Sequence, residues 1–368
     1  MQRKIKTQGR ELFFRESYEE SRDAFRKAVD HHQAPVQSFA CSALGPDGGP
    51  LTVDCAMIGG NHAANLVMLS TGLHGAEGPL GSAVLLQFLE SLRLDESLNN
   101  TRFLLIHSLN PYGHAHGRRF DAENIDLNRN FLLPEESYSG SPEIYQTINP
   151  FLNPQKPPQH FSGFLFNAAY YIARYGFQKV QQAIAGGQYD FEQGLFFGGH
   201  TASETKQIVE QNWRSWIGDV RRVIHLDFHT GLGKWGTYQL LSNHEFSREH
   251  QAELQTHFSH LPIMKTQENN IVYQTKGDFG HWCHQQSAEI DYCYLNAEFG
   301  TYGPLQMLRA LRNENQYHHW FPGVPNPEHW SKKNLLEAFC PTSEKWRNQV
   351  LEQSEQLIQQ AVRYVRSE

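Results

Sequence analysis

The sequence predicts an α/β protein, because strand patterns and helical patterns alternate along it. An apolar run at residues 66–70 is typical of a buried strand, and residues 80–92 have helical spacing. A second apolar run at residues 102–107 is typical of a strand that is covered on both faces. Strand, helix and strand in this order predict a parallel βαβ unit.

The composition predicts a sizeable core and argues against functions that require a strongly basic protein. The chain has 368 residues, of which 39% are hydrophobic. Lysine and arginine total 32 against 39 acidic residues, which gives a formal net charge of −7, and the chain contains no basic tract. Nucleic acids and anionic membranes are therefore not expected as partners.

The cysteines and the hydropathy pattern predict a cytoplasmic protein. The five cysteines are odd in number and include no Cys-x-x-Cys pair, which argues against a disulfide framework and against a thiolate zinc site. No segment approaches the ~20 apolar residues that a membrane span needs. The N-terminal segment is charged and lacks the apolar run of a secretion signal.

The other elements follow from the same patterns. Residues 17–29 have helical spacing, and Ser17 is a suitable N-cap. Strands at residues 37–43 and 51–58 flank a Gly-Pro-Asp-Gly-Gly turn and predict a hairpin. Later strand patterns lie at residues 223–229, 237–241 and 292–298, and later helical patterns at residues 245–258 and 343–365.

Residues 132–218 are predicted to be an insertion of loops and helices. Residues 134–164 are rich in Pro, Ser, Asn and Gly and show no regular period, which predicts a loop. Helical patterns follow at residues 167–184 and 203–217. No break in composition divides the chain, so we predict a single catalytic domain over residues 1–368. The insertion forms either a wall of the active site or a surface addition.

A histidine and a glutamate in one turn predict part of a metal site. His74 and Glu77 lie between a predicted strand and a predicted helix. Hydrolytic zinc sites use three His or carboxylate ligands and leave one position to water. His229 lies at the end of another strand and is the predicted third ligand. His114 and His116 in a loop are rival ligands, and either of His225 and His229, which share a strand face, could instead be an ordinary core histidine.

A second polar cluster follows the strand at residues 102–107. It combines guanidinium and carboxamide groups, which recognise carboxylates or stabilise an oxyanion. Its main members are Arg118, Arg119, Asn128 and Arg129. Solvated surface charge is the alternative interpretation of any one of these arginines. Asp126 in the same segment is suited to orient a metal-bound histidine.

Glu298 lies at the end of an apolar strand, where a carboxylate is costly to bury without a partner or a task. A general base beside a metal site is one such task. A buried ion pair with an arginine is the alternative.

Together these motifs resemble the M14 zinc carboxypeptidase superfamily, which includes the aspartoacylase and succinylglutamate desuccinylase branch. The resemblance rests on the His-x-x-Glu of residues 74–77, the Asp-Leu-Asn-Arg-Asn-Phe of residues 126–131, His229, and the Ala-Glu-Phe-Gly of residues 297–300. Strings at residues 72–78, 186–189, 194–196 and 227–231 are similar to the DUF2817 group of M14-like proteins. Tyr273 precedes Glu298 much as the mobile tyrosine of the family precedes its glutamate.

The resemblance implies a three-layer α/β/α carboxypeptidase-like fold with a mixed sheet of about eight strands. It also implies one zinc ion held by His74, Glu77 and His229, and leaves a second ion open. The implied roles are general base for Glu298, closure over the substrate for Tyr273, carboxylate binding for Asn128 and Arg129, and orientation of His74 by Asp126. Only one of the adjacent Arg118 and Arg119 can stabilise the oxyanion; Arg119 is favoured, and Arg118 is placed with the substrate-binding residues.

The predicted function is hydrolysis of an amide bond near a free carboxylate by a carboxypeptidase-like metallopeptidase. One alternative is a deacylase of N-acyl amino acids, of the aspartoacylase or succinylglutamate desuccinylase type. Another, from a different class, is a non-catalytic protein that binds a peptide or other ligand on the same fold. The expected partner is a peptide or N-acyl amino acid that carries a carboxylate. The sequence predicts neither its identity nor the oligomeric state.

Overall fold

The computed structural model describes residues 9–60, 62–93, 100–242, 246–258, 263–265, 275–323 and 326–367, without the side chains of residues 263–265. Among the helices in these ranges, none is both long enough and apolar enough to cross a membrane.

An eight-stranded mixed sheet lies at the centre of the structure, in the order β1-β2-β4-β3-β5-β8-β6-β7. The strands are β1 (Val36–Leu44), β2 (Pro50–Gly59), β3 (Asn65–Thr71), β4 (Thr101–His107), β5 (Arg222–Thr230), β6 (Tyr238–Ser242), β7 (Ile263–Lys265) and β8 (Asp291–Phe299). The predicted α/β fold with a mixed sheet of about eight strands is confirmed.

The four central strands β4, β3, β5 and β8 run parallel to one another. The hairpin of β1 and β2 continues the sheet antiparallel beyond β4, and β6 pairs antiparallel with β8. The carboxyl ends of β3, β5 and β8 therefore meet at one edge of the sheet. From β3 the chain continues to β4, which pairs with one edge of β3, whereas β5 pairs with the other edge of β3. Open α/β sheets bind ligands at such a switch point.

The described residues contain twelve α-helices. They are α1 (Tyr18–His31), α2 (Gly78–Ser91), α3 (Pro111–Ala115), α4 (Glu143–Leu152), α5 (Phe164–Tyr175), α6 (Phe177–Ala185), α7 (Glu204–Ile217), α8 (Arg248–His257), α9 (Phe279–Gln286), α10 (Pro304–Trp320), α11 (Trp330–Phe339) and α12 (Glu344–Val365).

Helices cover both faces of the sheet, which gives the predicted three layers. On one face, α1, α2, α8 and α12 form a continuous apolar cluster with the strands. On the other face, α7 and α9 form a second cluster that includes Trp213 and Trp282. Side chains of β5 alternate between the two faces: Leu226 and Phe228 belong to the first cluster, and Val223 to the second. The same alternation directs His229 to the second face.

A third group of helices packs beside the carboxyl ends of the central strands. Helices α4, α6, α10 and α11 share an apolar cluster with Ala76 and Phe120, which follow β3 and β4. Two of these helices, α4 and α6, belong to residues 132–218. This segment therefore packs against the edge of the sheet where the predicted site residues lie.

The structure corrects several details of the predicted elements. Residues 134–164 contain α4, which a Pro-rich composition had indicated as loop. Residues 167–184 form two helices rather than one, because the chain breaks at Gly176, whose φ of 86° suits glycine. Helices α10 and α11 were not predicted.

Candidate metal centre

The turn after β3 fixes the first two predicted ligands. His74 immediately precedes a short 3₁₀ turn, Gly75–Glu77. The turn packs so closely on α3 that a Cβ atom at Gly75 would lie 2.0 Å from the helix backbone. A Cβ atom at Gly78 would lie 2.4 Å from the ring of His114. Glycine at these two positions therefore permits the close packing that orients the turn.

The structure brings the three predicted ligands together. Nδ1 of His74 lies 2.8 Å from one carboxylate oxygen of Glu77, and Nδ1 of His229 lies 3.0 Å from the other. One donor atom from each residue lies within 4.8 Å of the other two. The exposed fractions of the three residues are only 4%, 2% and 1% in chain order. Buried donors that converge in this way are suited to hold a cation.

An aspartate contacts the other ring nitrogen of each histidine. Nε2 of His229 lies 2.6 Å from Oδ2 of Asp227, and Nε2 of His74 lies 3.3 Å from Oδ1 of Asp126. An aspartate that accepts a hydrogen bond from Nε2–H leaves the lone pair of the ring on Nδ1. Nδ1 is the atom that faces Glu77 in both histidines. For His229, Asp227 therefore favours the neutral tautomer that a metal ligand needs, whereas Nε2 of His74 contacts both Asp126 and Arg119.

Asp227 is itself held by further donors. The Ser70 hydroxyl donates to Oδ1 over 2.6 Å, and the Tyr294 hydroxyl donates to Oδ2 over 2.8 Å. Burial alone would raise the pKa of Asp227, but the neighbouring His229 and His225 and the hydrogen bond from Ser70 outweigh burial and lower it. Asp227 is therefore an ionised and fixed partner for His229.

Glu77 is ionised as well, which a metal ligand requires. Burial favours its neutral form, yet His74 and His229 beside it lower its pKa to about 2. Two imidazole nitrogens and one carboxylate form a donor set of the kind that holds zinc in hydrolytic sites. The residues present therefore fit a divalent cation such as zinc.

The three residues line a cavity of about 220 Å³, which leaves one side of the cluster open to a ligand. Glu298 lines the same cavity. It lies opposite His229 in the parallel pairing of β5 and β8, and the backbone N–H of Leu232 donates to its Oε1 over 2.9 Å. Burial and the negative charge of Glu77 raise the pKa of Glu298 to about 7.

Arg119 also lines the cavity. Its Nε donates to Oδ2 of Asp126 over 2.9 Å, and its Nη2 lies 2.7 Å from Nε2 of His74. The guanidinium also packs 5.4 Å from the ring centre of Phe196. These contacts hold a positive charge beside the cluster of predicted ligands.

Arg118 does not lie at the cavity, so its predicted role in substrate binding does not fit its position. Its side chain is fully buried, and its Nε donates to Oε1 of Glu314 over 2.9 Å. Nη2 donates to Asn124 over 2.8 Å. The adjacent arginines point to different surroundings, and only Arg119 reaches the cluster.

Asn128 and Arg129 lie together on the cavity wall. Nε and Nη2 of Arg129 both donate to the carbonyl of Ala185 at the end of α6, over 2.9 Å and 2.6 Å. Oδ1 of Asn128 accepts from the backbone N–H of Phe279 over 2.9 Å, which leaves its amide nitrogen as the group that can donate to a ligand. Both side chains are therefore held in place at the cavity.

Of the other candidates, Tyr273 lies outside the described residues. The other three histidines do not join the cluster. Each is bonded elsewhere: His225 to Tyr292, His114 to Ser108 and His116 to the carbonyl of Leu44.

Sequence reasoning missed the part that Asp227 and Tyr294 play behind His229. A detectable signal was present, because Asp227 and His229 are two positions apart on a strand and therefore share a face. It also did not predict the apolar character of the cavity wall, to which α4, α5 and α6 of the insertion contribute.

Comparison with known proteins shows both family and fold. The sequence profile described as "Protein of unknown function (DUF2817)" matches residues 14–353. No curated protein matches the chain.

Two solved structures are similar to this one. Carboxypeptidase A from Helicoverpa armigera superposes with a TM-score of 0.51 at 14% identity, over 95% of this chain and 73% of that one. Bovine thrombin-activatable fibrinolysis inhibitor, in complex with tick carboxypeptidase inhibitor, gives a TM-score of 0.51 at 10% identity, over 96% and 98% of the two chains. The fold is therefore carboxypeptidase-like, and the chain belongs to the DUF2817 family.

Proposed function

We propose that the protein is a metal-dependent hydrolase of the amide bond that joins an acyl group to an amino acid with a free carboxylate. A carboxypeptidase substrate and an N-acyl amino acid both have this arrangement. The observation that carries the proposal is that His74, Glu77 and His229 converge in a cavity that also contains Glu298 and Arg119.

His74, Glu77 and His229 would hold the metal ion. A divalent cation such as zinc supplies Lewis acidity in a site of this kind and lowers the pKa of water toward ~7. Asp126 and Asp227 orient the two imidazoles for this task.

Glu298 acts as general base in this proposal. It accepts a proton from the attacking water and returns that proton to the leaving amine. Burial raises the pKa of Glu298 above that of an ordinary glutamate, and a base whose pKa lies closer to the working pH also returns the proton more readily. The hydrogen bond from Leu232 fixes one oxygen and leaves the other for the proton transfer.

Arg119 stabilises the oxyanion that develops on the scissile carbonyl. Its Nε is anchored on Asp126, so the guanidinium needs little reorganisation during the reaction. Loss of one such donor typically costs on the order of 100-fold or more in rate.

Arg129 and Asn128 bind the carboxylate of the substrate. A guanidinium pairs with a carboxylate more strongly than a neutral donor does, and its planar shape fixes the direction of the pair. Binding of the carboxylate at this point selects which amide bond lies beside Glu298.

The experiment has two arms. The purified protein is analysed for bound metal, stripped with a chelator and reloaded with zinc. It is then assayed with short peptides and with N-acyl amino acids, and with the same compounds carrying an amidated carboxylate. We expect cleavage that requires the metal and the free carboxylate. The proposal would be contradicted if the protein bound no divalent cation. It would also be contradicted if the zinc-loaded protein cleaved neither the peptides nor the N-acyl amino acids.

A further inference from the structure

We propose that the acyl part of the substrate is a long apolar chain, so that the enzyme acts on amphiphilic N-acyl amino acids. This inference rests on the proposed function and specifies its substrate class. The helical wall of the cavity, described next, has no part in the mechanism proposed above.

One wall of the cavity is formed by four helices, α4, α5, α6 and α10. Their contribution is mainly large and apolar, and its members include Phe151, Ile172, Val180, Ile184, Leu308 and Leu311. Residues from four separate helices therefore form this apolar surface. Three of the four helices lie within residues 132–218.

The wall offers few partners to a peptide. All residues of these four helices are described, and among those that line the cavity only Gln181 and the Tyr171 hydroxyl are polar side-chain groups. A peptide extension would lose the water around its backbone N–H and C=O groups without sufficient replacement, which is unfavourable. A hydrocarbon chain has no such groups to satisfy.

The mouth of the cavity is apolar as well. Phe177 and Leu305 both line the cavity and are exposed to solvent by 44% and 38%. Large apolar side chains at an opening are suited to a ligand that is itself apolar where it leaves the protein. An acyl chain that is longer than the cavity therefore contacts apolar side chains at the mouth rather than polar ones.

The charged groups that line the cavity beside the predicted ligands, Arg119, Arg129, Asp278 and Glu298, come from outside these four helices. The cavity is therefore amphiphilic: its charged part suits a carboxylate and an amide, and its helical wall suits a hydrocarbon. Each methylene that moves from water to this wall should improve binding roughly fourfold until the wall is filled.

The test uses N-acetyl, N-hexanoyl and N-dodecanoyl derivatives of alanine, glutamate and phenylalanine with the zinc-loaded protein. We expect kcat/KM to rise with chain length for each amino acid that is accepted. Binding of the same compounds to zinc-loaded Glu298→Gln protein is measured by calorimetry. This second readout does not depend on turnover.

Two matched pairs of variants test where the acyl chain of the substrate binds. Ala168→Phe narrows the cavity, whereas Ala173→Phe adds the same ring on an exposed part of α5. Leu305→Glu places a charge at the mouth, whereas Leu165→Glu does so at an exposed position of α5 outside the cavity. The first member of each pair should lower the ratio of dodecanoyl to acetyl kcat/KM at least tenfold. The second should leave it unchanged. Leu305→Glu keeps the test valid if Ala168→Phe does not fold.

The outcomes separate this inference from the proposed function. Chain-length-dependent binding without turnover would support the apolar site and contradict the hydrolase. Equal kcat/KM and equal affinity for the acetyl and dodecanoyl compounds would contradict the inference and leave the hydrolase intact. Neither binding nor turnover of any compound would contradict both.

Discussion

Oδ2 of Asp227 lies 2.6 Å from Nε2 of His229, on the side of the imidazole opposite to Glu77. The same oxygen accepts a hydrogen bond from the Tyr294 hydroxyl over 2.8 Å. This pair sets the tautomer and the direction of one predicted metal ligand from within the second face of the sheet.

Asp227→Asn should weaken metal binding. The amide nitrogen of the new asparagine can donate to Nε2 of His229. The ring proton of His229 then lies on Nδ1, the atom that must be unprotonated to bind a metal. Loss of such a partner typically lowers metal affinity by about 10- to 100-fold. The zinc dissociation constant is measured by competition with a coloured chelator.

Asp54→Asn is the matched control for that variant. Asp54 is also fully buried, but its partner is Arg26, whose Nε lies 2.6 Å from its Oδ2. We expect this variant to unfold at a lower temperature and to keep its zinc affinity. A zinc affinity that falls equally in both variants would show a general effect of buried charge instead of ligand orientation.

Glu298→Gln should strongly reduce turnover and retain the metal. The amide cannot accept the proton of the attacking water, and removal of a general base typically costs on the order of 100- to 10,000-fold in rate. The same substitution at Glu77 should remove the metal, since Glu77 contacts both histidines. Metal content and kcat/KM are measured for both variants. Full activity of Glu298→Gln would exclude Glu298 as the base.

The pH dependence of kcat/KM should show an acidic limb that belongs to Glu298. Burial and the charge of Glu77 raise its pKa to about 7. The base must be ionised, so activity falls as the pH decreases through this pKa. The positive charge of a bound cation favours the carboxylate, which places the midpoint between ~4.3, the ordinary pKa of a glutamate, and ~7. A rate of the zinc-loaded enzyme that stays constant from about pH 4 to pH 8 would contradict this assignment.

The predicted ligands and the predicted base could be located from sequence because each ends an apolar run or follows one. His229 and Glu298 end runs whose composition identifies buried strands, and parallel strands bring their carboxyl ends to one edge. Local sequence thus contained both the residue type and its place in the sheet.

The surroundings of Arg118 depend on contacts that no local pattern encodes. Glu314, its ion-pair partner, is 196 positions further along the chain, in a helix that was not predicted. The apolar cavity wall has the same origin, because it exists only where α4, α5, α6 and α10 meet. The α4 segment was missed because Pro150 and the polar residues around the helix hide its apolar spacing.

Arg129→Ala should raise KM for substrates with a free carboxylate. A hydrogen-bonded charge contributes about 1.5 to 3 kcal/mol, which corresponds to roughly 10- to 100-fold in KM. The substitution also frees the carbonyl of Ala185, so thermal unfolding is measured in parallel. The control is the same substrate with an amidated carboxylate. A change of KM that is equal for both substrates would contradict a role in carboxylate binding.

Substitution of Arg118 and of Arg119 should differ in its effect on kcat. Arg119→Ala removes the donor beside the cluster, so kcat per folded molecule should fall on the order of 100-fold or more, and the loss of its ion pair with Asp126 should also lower stability. Arg118→Ala leaves Glu314 buried with Lys332 as its remaining cationic partner, and breaking a buried pair costs about 3 kcal/mol. Its free energy of unfolding should therefore fall, while kcat per folded molecule should remain close to that of the unmodified protein. Urea unfolding and kcat are measured for both variants. Arg118→Ala could instead lose as much kcat as Arg119→Ala while it remains folded. A fully buried side chain away from the cavity would then affect the reaction as much as Arg119 does. This result would contradict the assignment of oxyanion stabilisation to Arg119 alone.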